Sequence, residues 1–287
     1  MHFYNHKENH HPFLDAVDPS YEAFDYSALP RIHLPKDYRE ETKGFEVEGV
    51  IWHEFLSEDP IQEARWAQAL ADKDPLIKAL VTLVDFLDPG LEEKLEAYRA
   101  LPLVTAVREH MVWDPESPKR RFAKRPDLLR DPAWQKRLGL LKKHSFKCGL
   151  EVFSHQIPDL IHAVRLYPEI GFTIAIMGWP IDITPEGFNQ WKRDIKKLSR
   201  CDNCCMSISA IECIFGMNWT RDQIRPWILE TIEAFGVNRT MFGSHLPIVQ
   251  LSCSFQKLYD SYFAITADFS SEEKEKLFCR VAADWFH

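Results

Sequence analysis

Arg108 falls near the end of an apolar run, Leu103–Val112. Its planar fork of N–H donors would suit a substrate carboxylate. An ion pair with Glu54 or Asp85, which close two earlier apolar runs, would use the same group. Both readings stay open on the residues alone. Cys201, Cys204 and Cys205 suggest a metal, but one C-x-x-C with no second pair and no nearby histidine reads more simply as buried thiols. The cluster Lys119, Arg120, Arg121, Lys124 and Arg125 could steer an anion, yet a solvated loop is the simpler reading. Trp113, Trp179, Phe215 and Trp219 could ring a pocket mouth and suit a ring-shaped organic substrate. The chain has no G-x-S-x-G elbow, phosphate loop or dinucleotide fingerprint.

These residues sit on a repeating pattern. Short runs rich in Val, Ile, Phe and Leu occur at Val47–Glu54, Ile77–Phe86, Leu103–Val112, Cys148–Ser154, Gly171–Met177, Asn203–Ser209 and Arg239–Ser244. Such runs predict strands buried on both faces of a parallel sheet. Helical segments lie between them: Asp59–Lys73, Asp131–His144, Ile157–Leu166, Pro185–Leu198, Thr220–Phe235, Cys253–Thr266 and Ser271–Trp285. Asp131 followed by Pro132 is a helix start, and Ser270 or Ser271 can cap the last helix. Strands alternating with helices predict an α/β fold, a (β/α)8 barrel incomplete at its first strand. Residues 1–46 hold four prolines and no long periodic run, and read as the N-terminal arm of one barrel domain spanning 1–287, with its βα units at 47–287 and a short extended piece at Met1–Tyr4.

Composition narrows the function. The chain has 287 residues, 45% of them hydrophobic, enough to fill one large core. A net charge of −8 does not attract a phosphate backbone, so nucleic acid is not an expected partner. No apolar run reaches the ~20 residues a membrane span needs. The opening MHFYNHKENHHPF is polar and unlike a signal peptide, which points to the cytoplasm, and the seven cysteines read as free thiols.

Several phrases together resemble the amidohydrolase-related branch of the amidohydrolase superfamily, which includes sugar lactonases and 2-pyrone-4,6-dicarboxylate lactonases. They are HFYN at His2–Asn5, HHPFL at His10–Leu14, the stretch Pro35–Ala71 with Glu54, Asp59, Pro60, Glu63 and Trp66, and VTAVREHM around Arg108. RPDLLRDPAW at Arg125–Trp134, SHQIPD at Ser154–Asp159, MGWP at Met177–Pro180 and FGVNRTMFGSHLPI at Phe235–Ile248 complete the set. Their order covers nearly the whole chain.

The resemblance implies catalytic groups at the C-terminal ends of the barrel strands, as barrel physics also expects. It also implies a metal site that this sequence departs from. The family opens with two histidines one residue apart, and the chain opens at the second, His2. A sixth-strand histidine is replaced by Ile176, and an eighth-strand aspartate by His245. His2, His155 and His245 remain as donors, so zinc is conceivable but disfavoured, and no cofactor is expected. An imidazole can take over the role of a basic aspartate at neutral pH.

The expectation is a metal-independent hydrolase of a small cyclic, carboxylated lactone or ester. His245 and His155 are its catalytic residues, and Arg108, Trp179, His2 and Glu54 bind substrate. A cyclase, isomerase or decarboxylase on the same scaffold is one alternative. Another is an inactive descendant that binds a ligand or partner, with an unpaired sheet edge favouring a homodimer.

Overall fold

The computed structural model describes residues 1–15 and 26–287. Among the described residues nine strands follow in chain order: β1 (Tyr4–Asn5), β2 (Ile32–His33), β3 (Val50–His53), β4 (Ile77–Leu83), β5 (Val104–His110), β6 (Lys147–Glu151), β7 (Phe172–Ile174), β8 (Cys204–Ile208) and β9 (Thr240–Phe242). β3 to β9 form one parallel sheet in sequence order, curled as an incomplete (β/α)8 barrel. Six of these seven lie inside an expected apolar run, and β6 starts one residue before its run, at Lys147. The expected extended piece at Met1–Tyr4 lies slightly later, as β1, which pairs antiparallel with β2.

Two hydrogen bonds span the open side of the barrel. His53 N donates to Met1 O at 3.0 Å, and His2 N donates to Leu246 O at 2.8 Å. The first residues therefore join β3 to the turn after β9 and bring His2 to the barrel mouth.

The helices follow local chemistry. Asp59, Asp131, Thr184, Thr220, Ser254 and Ser270 each accept a backbone N–H at a helix start. The predicted helix 131–144 is two pieces, Pro132–Leu138 and Leu141–His144. The predicted helix 271–285 contains a wide turn at Lys276–Arg280. Three helices lie outside the expected segments: Pro35–Glu41, Leu91–Arg99 and Ile211–Phe215.

Strand periodicity sorts the side chains into layers. Leu80, Val107, Leu150, Phe172, Met206 and Phe242 face the helices in the main core. Ala79, Val81, Ala106, Cys205 and Met241 pack with Val281 and Phe286 in a separate apolar cluster. The C-terminal segment thus plugs one end of the barrel, and Trp285 Nε1 donates to Thr173 Oγ1 at 2.8 Å. At the other end the layer turns polar, with Arg108 and His110 on β5 and Glu151 on β6. Gly149 makes room for this layer, because a Cβ there would lie 3.0 Å from Arg108 Cβ. An apolar plug below and ionisable groups above put the chemistry at the C-terminal ends of the strands.

Candidate active site

One pocket at this mouth is lined by His2, Glu54, Arg108, His110, Glu151 and His245, with an apolar wall that includes Phe13, Phe55, Ile176 and Trp179. Its polar side is a quartet. Glu54 Oε1 lies 2.6 Å from Arg108 Nε and 3.1 Å from His110 Nε2. Glu151 Oε2 lies 2.5 Å from His110 Nδ1 and 3.7 Å from Arg108 Nη2.

Burial alone would raise the Glu54 carboxyl, but Arg108 and then His110 outweigh it and hold it well below the usual carboxylate range. Burial opposes the Glu151 charge too, and His110 brings its pKa down to about 2. For His110, burial and Arg108 work against the cation, yet Glu151 and Glu54 raise its pKa. Two carboxylates thus face one guanidinium and one imidazole, and the quartet carries no surplus positive charge.

Of the two carboxylates the sequence offered Arg108, Glu54 is the one it pairs with. Asp85 pairs instead with Lys124. Glu54 likewise has its oxygens committed: Oε2 accepts from Leu56 N at 2.7 Å. Behind it, Glu63 accepts from Phe55 N at 2.9 Å, and burial followed by the Glu54 charge pushes its carboxyl well above the ordinary range.

A second polar unit lies across the pocket. His245 follows β9, and its Nδ1 is 2.5 Å from Glu212 Oε1, which lies in the short helix after β8. Glu212 is 1% exposed, and its Oε2 has no hydrogen-bond partner among the described residues. The His2 ring stands 5.6 Å from that of His245, edge to face. His2 Nδ1 donates to the carbonyls of His53 (3.1 Å) and Glu54 (3.0 Å), which leaves Nε2 as an acceptor. Burial, the chain's amino terminus and His245 depress the His2 pKa well below the usual histidine value, so its ring is neutral.

Backbone strain gathers around the mouth. Leu56, Ile176, Met177, Trp179, Ala210 and His245 all have positive φ, between 28° and 56°. Such angles are uncommon outside glycine and exceptional for a β-branched residue such as Ile176. Their concentration at the ends of β3, β7, β8 and β9 marks a constrained site.

Five of the six residues singled out from the sequence meet in this pocket: His2, Glu54, Arg108, Trp179 and His245. His155 does not. It is exposed, in the turn Ser154–Gln156, with Nε2 3.0 Å from Trp113 O. In that turn its ring stands beside Phe153 and outside the pocket lining, so no catalytic role is proposed for it. His110, Glu151, Glu212 and Cys213 went unnoticed in the sequence. Period-two alternation from Arg108 could have found His110, but no motif marks Glu212.

The remaining sequence features have local uses. Arg121 donates to Asp114 O at 2.8 Å and lies over the Trp113 ring, and Arg125 pairs with Asp131. All seven cysteines are free thiols, with Cys201, Cys204 and Cys205 buried.

A strained, ionisable pocket at the strand ends of an α/β barrel defines the class of protein. The chain belongs to the amidohydrolase family, whose sequence profile matches residues 8–287. Among curated proteins it is 27% identical to an uncharacterized protein, y4mH, of Sinorhizobium fredii, over all of this chain and 96% of that one. It is 23% identical to an L-fucono-1,5-lactonase of Burkholderia multivorans, over 68% of this chain and 66% of that one. Among solved structures it resembles an amidohydrolase from Burkholderia multivorans with bound zinc (TM-score 0.79, 18% identity, 93% of this chain and 95% of that one). No helix among the described residues is long and apolar enough to cross a membrane.

The zinc in that relative calls for a test of fit here. Ile176 offers no donor, His2 spends one nitrogen on carbonyl groups, and the Arg108 guanidinium faces the same space. Glu212, Cys213 and His245 do bring donor atoms within 4.8 Å of one another. But Glu212 Oε1 is turned onto His245 Nδ1, and the one remaining donor is the Cys213 thiol, so the set lacks a third nitrogen or oxygen ligand. The pocket residues fit a divalent ion poorly, and no step is derived through one.

Proposed function

We propose that the protein hydrolyses a lactone in a small, uncharged, ring-shaped substrate, with His245 as general base and no metal ion. The observation that carries the reading is the 2.5 Å contact between His245 Nδ1 and the buried Glu212 carboxylate. A base held by a third group is the arrangement that activates water or a hydroxyl in unrelated hydrolases. With a carboxylate at Nδ1 the ring keeps its proton there, and Nε2 is left to accept one from water.

The water oxygen then bonds to the lactone carbonyl carbon, and its proton passes to His245 Nε2. When the ring C–O bond breaks, the same nitrogen returns the proton to the leaving oxygen. The products are a carboxylic acid and a hydroxyl on one opened chain. Arg108, fixed by Glu54 and Glu151, supports the charge that develops on the carbonyl oxygen. His2 Nε2 accepts a substrate hydroxyl, and Trp179 packs the ring face. His155 has no part.

A substrate carboxylate, expected from Arg108 alone, is dropped from the reading. It would have to displace Glu54 or Glu151 and leave a buried anion without its guanidinium partner, which costs more than it gains. The family membership and the lactonase relative support hydrolysis of a lactone.

The test is a panel of neutral and carboxylated γ- and δ-lactones in 18O-labelled water. Label should enter the product acid, and neutral lactones should turn over faster. His245→Ala with unchanged turnover across the panel would remove the base from the account.

A further inference from the structure

A second group of ligand-type side chains lies outside the pocket, on the arm that precedes β2. We propose that His6, His10 and Asp15 form a surface site for a zinc-class divalent ion, with Glu58 as the partner that orients His10. His6 Nε2 lies 2.8 Å from Asp15 Oδ1, and His10 Nε2 lies 2.5 Å from Asp15 Oδ2. Their donor atoms are within 4.8 Å of one another. The two imidazoles are four residues apart, across a turn in which Glu8 N and Asn9 N both donate to Asn5 O, at 3.0 and 2.9 Å. One helical turn puts both rings on the same side, with centroids 5.4 Å apart.

Two imidazoles and one carboxylate form a nitrogen–oxygen donor set of the kind that holds zinc with a fourth position open to water. The surroundings add a feature typical of built sites. His10 Nδ1 lies 2.7 Å from Glu58 Oε2, so its proton stays on Nδ1 and Nε2 becomes the ligand. The loop that holds Glu58 is tied to the same arm, since Glu58 N donates to His10 O at 2.9 Å.

Ion binding changes three contacts. The protons now shared with Asp15 leave both Nε2 atoms. His6 moves its proton to Nδ1 and gives up a long 3.3 Å contact from His11 N. Arg31 Nη1, half exposed and 3.2 Å from Asp15 Oδ1, swings into solvent. The ion would fasten the arm to the loop after β3, whose Phe55 and Leu56 line the pocket. This inference does not rest on the lactonase reading, because none of its ligands lines the pocket.

The experiment is isothermal titration of Zn2+ into the full chain after dialysis against chelator, at pH 7.5, beside His10→Ala, Glu58→Gln and Glu212→Gln. The wild type should take up one equivalent. His10→Ala should weaken binding at least tenfold, Glu58→Gln several-fold, and Glu212→Gln not at all. Cobalt substituted at the site should give a visible absorption band that His10→Ala removes. No uptake by the wild type, equal affinity in His10→Ala, or loss confined to Glu212→Gln would each overturn the proposal.

Discussion

Replacing Glu212 by Gln isolates what the carboxylate does for His245. The side chain is fully enclosed and of the same shape, so packing is preserved, while the charge facing Nδ1 at 2.5 Å is removed. A hydrogen bond to a charged, buried partner contributes about 1.5–3 kcal/mol. Losing that from the transition state alone lowers kcat by about 10- to 150-fold. If the amide turns its NH2 toward Nδ1, the ring must carry its proton on Nε2 and cannot accept one from water. The loss then approaches about 10^4, the penalty seen when a catalytic histidine is held in the wrong tautomer. Initial rates on a neutral lactone, followed with a pH indicator, measure kcat and KM separately. The fall should appear in kcat with KM little changed, and thermal melting should confirm an intact fold. A kcat within twofold of wild type would refute the pairing as a catalytic device.

Other consequences concern the buried charges and the barrel plug. Arg108→Met removes the guanidinium from the Glu54 carboxylate, which is 1% exposed, and should destabilise the protein by about 3 kcal/mol at pH 7. The defect should shrink toward pH 4 as the released carboxyl takes up a proton, and urea midpoints at the two pH values check this. Burial raises Glu109 to about 7 although Trp134 Nε1 donates to it, so the folded state holds its proton more tightly than the unfolded chain. Its contribution therefore weakens as pH rises from about 4.5 and levels off above about 7, a span worth about 3 kcal/mol at most. Glu109→Gln should flatten the difference in urea midpoint between pH 5 and pH 8, and an unchanged difference would exclude Glu109 as its source. Phe286→Ala opens a void under Ala79, Val81 and Met241 and should cost about 3 kcal/mol in chemical denaturation.

The strands were legible because their physics is local. A strand buried on both faces must be apolar throughout, and all seven such runs proved to be strands. Two-residue β1 and β2 carry no such pattern, since their pairing depends on contacts nearly thirty residues apart. At the site, Arg108 and Glu54 stood out as charges at the ends of apolar runs, but their mutual pairing is a matter of space between β3 and β5. His110 and Glu151 were hidden by the same cause. Glu212 follows Ala210, a residue with φ of 53°, and meets His245 from 33 positions away, which no spacing rule encodes. His155 had the right phrase around it, yet one short turn sends its ring to a backbone carbonyl.

The central claim is that Glu212 and His245 act as a base without a divalent ion in the pocket. It is tested most directly by elemental analysis and lactone turnover measured together on His10→Ala, in which the surface donors are removed, after chelator dialysis at neutral pH. The account predicts well under one equivalent of zinc or manganese and undiminished turnover. One tightly held equivalent that disappears in the His10→Ala, Glu212→Gln double variant, with turnover that chelation abolishes and metal restores, would contradict it.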